Sequence, residues 1–180
     1  SIYMELDKED EALDLVKKVG VQDPVYPSAL LLEVDLYSLN GLEEVAYQKL
    51  MEAKKLLPNE PLIDFALGEQ CYVQGNFQEA IEYYQNVLKD SEEIVGISIL
   101  QRIAEAYSSA GHFEEALPFY DRSLKKKTEL HTLFQFGLTA YQAGHYKTAV
   151  EKLTELQELD HEYHSLYFYL ASSYEMLEDY

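Results

Sequence analysis

The sequence predicts an all-α solenoid of antiparallel helix pairs, and two observations carry that expectation. The first is a recurring signal from glycine to alanine, at Gly41 to Ala46, Gly75 to Ala80, Gly111 to Ala116 and Gly144 to Ala149, with Asp7 to Ala12 as a variant. The alanines follow one another at intervals of 34, 34, 36 and 33 residues. A period near 34 marks stacked helix-turn-helix units, none of which can bury its apolar face alone. The second observation is apolar spacing at the helical period on both sides of each signal. Solenoids of this kind work mainly as surfaces that hold other proteins.

Taken in order, residues 1–26 read as the second helix of a unit whose first helix is mostly absent. Four full units follow, at 27–60, 61–96, 97–129 and 130–163, and residues 164–180 read as a first helix without its partner. The second full unit shows the logic. Leu67, Gly68, Cys71 and Tyr72 share one face at helical spacing. Gln74, Gly75 and Asn76 form a turn signal, after which Ala80, Tyr84, Val87 and Leu88 resume the 3.6-residue period.

Starts and stops have physical causes. Pro27 and Pro61 suit the first turn of a helix, where a backbone N–H would lack an intrahelical partner anyway. Pro24 and Pro58 prevent the preceding helices from continuing. The two extra residues between Ala80 and Ala116 are expected within 90–96, where Asp90 with Glu93, or Ser91, would cap the next helix. Lys125, Lys126 and Lys127 close a helix and complement its dipole. Pro118 falls inside a predicted helix and deprives the Glu114 carbonyl of its usual amide donor, which predicts a small bend.

Composition narrows the function classes. At 47% hydrophobic and 26% charged, the chain is neither disordered nor membrane-embedded. No apolar run approaches the roughly 20 residues that span a bilayer, and the N-terminus lacks the basic and apolar regions of a signal peptide. Met4 lies inside the helical pattern, so the chain is expected to be part of a longer protein. With 33 acidic against 14 basic residues, the net charge of −19 disfavours nucleic acid and anionic membranes and favours a basic partner. The single cysteine, Cys71, excludes an intrachain disulfide, fits a reducing compartment, and is expected in the core.

Residue by residue, the pattern resembles the tetratricopeptide repeat family over essentially the whole chain. That family places a large residue fourth, leucine seventh, a small residue eighth and an aromatic eleventh. Glycine follows at fifteenth, alanine at twentieth, an aromatic at twenty-fourth, a small residue at twenty-seventh and proline at thirty-second. In 97–129 these places hold Leu100, Ile103, Ala104, Tyr107, Gly111, Ala116, Tyr120, Ser123 and Thr128, so only the proline is lost outright. Tyr167, Leu170, Ala171 and Tyr174 match in the final half unit, where Glu178 replaces glycine. Small residues are needed because helices about 8–10 Å apart leave no room for branched side chains at closest approach. Glu33 and Val34 depart from the pattern, where leucine and a small residue are expected, which predicts looser packing or a slight rotation of their helix.

Catalytic signals are poor. The chain has no Gly-rich phosphate loop, no Gly-x-Ser-x-Gly elbow and no His-Glu-x-x-His helix. His161 and His164 are three apart but lack a clustered third ligand, so no metal and no cofactor is expected. Acidic pairs such as Glu43–Glu44 and Glu114–Glu115 open helices, where the dipole stabilises them.

The resemblance implies that the second, fifth, ninth, twelfth and thirteenth residues of each unit, all on its first helix, line a concave groove. Among them Asp35, Phe65, Glu69, Tyr72, Glu105, Phe134, Leu138, Tyr141 and Phe168 are the expected partner-binding residues. Family members that clamp the acidic tails of heat-shock chaperones use groove lysines, asparagines and arginines. No lysine or arginine occupies these places here. The predicted groove is aromatic and acidic, and suits a segment with apolar anchors and basic residues.

These readings converge on an all-α, right-handed superhelical solenoid of antiparallel helix pairs. It is expected to be a non-enzymatic, cytoplasmic scaffold that binds a protein or peptide. The alternatives are a peptide-sensing regulatory module of a larger protein, or repeats appended to a catalytic domain. Self-association through exposed ends is also expected, with Leu166, Leu170 and Tyr174 as the exposed residues at the C-terminal end.

Overall fold

Ten helices and no strands make up the computed structural model among its described residues, 2–91, 96–160 and 162–178. Side chains are described for 8–89, 99–160 and 162–178. The chain divides into two compact units, Ser1–Ser91 and Glu92–Tyr180. The first holds α1 (Ile2–Val16), α2 (Tyr26–Leu39), α3 (Glu43–Leu56), α4 (Pro61–Val73) and α5 (Phe77–Ser91). The second holds α6 (Gly96–Ser109), α7 (Phe113–Lys126), α8 (Leu130–Gln142), α9 (Tyr146–Leu159) and α10 (Ser165–Glu178). The predicted count and placement of helices are therefore observed. The division falls where the repeat interval lengthens, and the predicted cap by Asp90, Ser91 or Glu93 lies outside the described side chains.

Each hairpin turn is closed by the same device. Gly75 and Gly111 take φ of 80° and 79°, in the left-handed region that side chains disfavour, and Gly41 and Gly144 do the same. The residue after the glycine then donates its amide to a carbonyl five positions back: Asn76 to Cys71 at 2.8 Å, His112 to Tyr107 at 2.9 Å. This satisfies carbonyls that the helix end would otherwise orphan. Pro27 lies in the first turn of α2 and Pro61 opens α4, as expected. Helix α7 continues through Pro118.

Close packing explains the small residues. Ala46, Ala80, Ala116 and Ala149 are wholly buried, whereas Ala12 is half-buried. A Cβ placed on Gly68 would collide with the ring of Tyr84, and one on Gly137 would lie 2.6 Å from Leu153 Cγ. Val34 occupies the same register in α2 and packs in a cluster with Ala46 and Leu50. Glu33 is buried beside it, and its carboxylate lies 3.4 Å from Lys49 Nζ. A second buried acid, Asp64 on α4, pairs with Lys54 Nζ at 2.6 Å, and Lys54 also donates to the Pro58 carbonyl.

One expectation is corrected. Leu166 and Leu170 are buried, joining Leu133, Leu153 and Leu156 in the core of the second unit. Four residues apart on α10, they share a stripe that faces α8 and α9. Tyr174 is exposed as predicted, together with Tyr167 and Phe168. In the full hairpins the residues at the register of Tyr167 and Ala171 (Leu100 with Ala104, and Leu133 with Gly137) are buried.

Candidate functional site

In the first unit, three predicted residues, Asp35, Phe65 and Glu69, come together. Leu31 and Asp35 are one turn apart on α2, and Phe65 and Glu69 are one turn apart on α4. With Val34, Ala66 and Gln70 they line a cleft of about 270 Å³. Asp35 is exposed, while Phe65 and Glu69 are half-buried. The Phe65 ring tilts against Tyr84 at 5.9 Å between centroids. The Tyr84 hydroxyl donates to Glu69 Oε1 at 2.6 Å, so a wholly buried ring on α5 orients an acid on the cleft wall. Gln70 Nε2 donates to Ser38 Oγ at 3.3 Å and ties α4 to α2. Tyr72 is half-buried, packs edge-on to Phe77 at 5.4 Å, and is not among the residues lining this cleft.

The second unit collects the other predicted residues differently. Glu105 on α6 accepts from Arg102 Nη1 at 3.0 Å, and His131 Nε2 lies 3.9 Å away. The groove positions contain no lysine or arginine, yet a cation from the same helix meets this acid. Phe134 and Tyr141 on α8 join an aromatic cluster centred on Tyr169 of α10, at 6.0 Å and 5.8 Å. Tyr163 stands 4.9 Å from Phe134, and Phe168 lies 5.1 Å from Tyr169. Phe134 thus packs against the core, whereas Phe168 is 68% exposed. Leu138 is half-buried. Two further groove positions knit α6 to α8: Gln101 Nε2 donates to Thr132 Oγ1 at 2.6 Å, and Ser108 meets Thr139 at 2.8 Å.

Tyr163 and Tyr169 were not among the predicted site residues. Neither occupies a groove position, but the aromatic run at 163, 167, 168 and 169 was the available signal.

Burial pushes the Cys71 thiol up to about 11, reinforced by the Glu79 carboxylate, to which Sγ donates at 3.8 Å. Such a thiol is a poor nucleophile. Hydrogen bonds from Lys127 and Gln101 hold Glu129 below the usual carboxylate range. Among the described residues no three His, Cys, Asp or Glu side chains converge as metal ligands; His161 lies outside them, and His164 is exposed. No helix among the described residues is long and apolar enough to cross a membrane.

Comparison with known proteins adds to this geometry. A family model described as YpiA-like tetratricopeptide repeats matches residues 39–92, and a tetratricopeptide repeat model matches 99–131. The chain is 44% identical over 174 residues to the TPR repeat-containing protein YpiA of Bacillus subtilis (strain 168). That match takes in 97% of the chain but 41% of YpiA, so the chain spans under half the length of this curated relative. Among solved structures, YrrB, described as a TPR protein with an unusual peptide-binding site, superposes with a TM-score of 0.75 at 17% identity. The match covers 83% of this chain and 77% of YrrB. MamA from Desulfovibrio magneticus RS-1 gives 0.75 at 17% identity, over 85% of this chain and 86% of that one.

Proposed function

Because the chain belongs to the tetratricopeptide repeat family, we propose that it is a non-enzymatic scaffold whose groove residues hold a segment of a partner protein. The observation that carries this reading is the convergence of Leu31, Asp35, Phe65 and Glu69 on one cleft in the first unit. An apolar wall beside two carboxylates suits a segment with an apolar anchor and basic neighbours. Burial supplies affinity, and charge complementarity supplies selectivity and association rate. The aromatic cluster around Phe134 and Tyr141 extends the same chemistry within the second unit, with Phe168 the most accessible ring of the proposed set. YrrB, a structural neighbour described as peptide-binding, supports a peptide as ligand. A cytoplasmic location is part of the proposal, in keeping with the lone reduced cysteine.

A peptide array tests this reading, probed with wild type, with Phe65→Ala and with the pair Phe134→Ala, Glu105→Gln. Peptides carrying apolar and basic residues are expected to bind best. Truncating a true anchor should weaken binding by about 2 kcal/mol or more. Preference for acidic peptides, or indifference to all these substitutions, overturns the assignment.

The reading includes self-association through exposed ends, now assigned to Tyr167, Phe168 and Tyr174. Sedimentation velocity is expected to show concentration-dependent dimers that disappear in Tyr167→Ser, Tyr174→Ser. A monomer at all concentrations removes this part of the proposal.

A further inference from the structure

A second cleft, of about 390 Å³, lies away from the groove positions and is built mainly by second helices. Its volume is within the range of about 300–1,000 Å³ usual for ligand sites. One wall is α7, where Glu114 and Asp121 stand seven residues apart, two turns or about 10.5 Å along the axis. Leu117 and Pro118 lie between them. Phe136 of α8 also lines the cleft; it is 95% buried and stacks on Tyr120 at 5.9 Å. Lys152 Nζ already sits 5.8 Å from the centroid of Phe136, so this ring accepts a cation. His145, where α9 begins, forms the other wall; its Nε2 lies 2.9 Å and 2.8 Å from the two Glu114 oxygens.

Pro118 shapes the chemistry here. It has no backbone N–H, so the Glu114 carbonyl loses its usual i+4 donor beside an exposed ring. The cleft therefore offers two carboxylates around an apolar surface, on a helix where the Glu114 carbonyl lacks its usual donor, and no lysine or arginine lines it. The exposed Lys125 that pairs with Asp121 is held weakly enough to exchange.

From this complementarity we infer that the cleft is a second docking site, receiving a partner segment in which two basic side chains flank an apolar one. In an extended segment of pattern Arg-x-Leu-x-Arg all three side chains point one way, and the arginine Cα atoms lie about 13 Å apart. That span matches the carboxylates once the side chains lean inward, and the leucine meets Leu117 and the exposed Pro118 ring. The site is separate from the groove proposed above and does not depend on it.

Fluorescence anisotropy with a labelled Ser-Arg-Ser-Leu-Ser-Arg-Ser peptide tests this at low salt. Glu114→Gln with Asp121→Asn is expected to weaken binding tenfold or more. Glu151→Gln with Glu158→Gln makes the same charge change on α9 outside the cleft and should alter it less than twofold. Pro118→Ala returns an amide donor to the Glu114 carbonyl; it should weaken binding several-fold while the thermal midpoint rises, a combination that loss of folding cannot produce. Because the proposed groove takes the same chemistry, the two acid pairs are also compared in a Phe65→Ala background, where the tenfold loss from Glu114→Gln with Asp121→Asn should persist. Equal losses in the two acid pairs would mean that overall negative charge alone attracts the peptide, and would overturn the site. So would equal binding of a peptide with glutamates for arginines, or no binding at millimolar concentration.

Discussion

Replacing Tyr84 with alanine is expected to destabilise the first unit by about 3–5 kcal/mol, in the range of large-to-small changes at buried aromatic sites. The ring has no solvent exposure and lies against the bare Cα of Gly68, which has no side chain to relax into the space it leaves. It also supports Phe65 at 5.9 Å and donates to Glu69 at 2.6 Å. Tyr84→Phe separates these roles, because it keeps the ring and removes only the hydroxyl. Its expected cost is about 1–2 kcal/mol, the worth of one hydrogen bond to a partly solvated carboxylate. Urea midpoints of the two variants give both numbers. A loss below about 1 kcal/mol in Tyr84→Ala would mean that the α4–α5 interface repacks freely, contrary to the contact described.

The tyrosine result bears on the groove as well as on stability. Glu69 is a proposed binding residue, and its orientation depends on a side chain that belongs to the core. A variant that unfolds nothing can still weaken binding by releasing that carboxylate. Stability and affinity should therefore be measured together for every substitution near the first cleft.

How much of this was legible in the sequence follows from what a repeat encodes. The phase of glycine and alanine fixes where chains turn and where helices touch, because only small residues fit there. The ten helices among the described residues, the turns at glycine and the buried alanines were all readable on that basis. The register of α10 was readable too, yet its leucines were assigned to the wrong side. Position seven points toward the preceding hairpin, which covers Leu170 even though α10 has no second helix of its own among the described residues. The groove was legible as a set of positions but not as a set of contacts. Phe134 and Tyr141 are drawn into packing by Tyr169, and Glu105 is met by Arg102. Those outcomes depend on residues outside the template, in neighbouring turns and helices. The buried Asp64 was invisible for the same reason, since its register normally holds a large apolar residue and its partner comes from another helix.

That aspartate gives the second large expected effect. Lys54→Met should destabilise the first unit by about 3 kcal/mol, because it leaves a buried carboxylate without its cation. Asp64 retains 3% of its side-chain exposure, so water cannot replace the lost partner without opening the α3–α4 junction. The same lysine donates to the Pro58 carbonyl, so its loss also loosens the turn that starts α4. Lys54→Arg preserves the charge and is expected to recover most of the stability. The decisive comparison is the double replacement Lys54→Met, Asp64→Leu, which removes both charges and restores the large apolar residue usual at this register. If burial of an unpaired charge is the cause, the double variant will be more stable than Lys54→Met alone, and near or above wild type. Equal instability of the single and double variants would instead place the lysine's main role in packing its methylenes and holding the Pro58 turn.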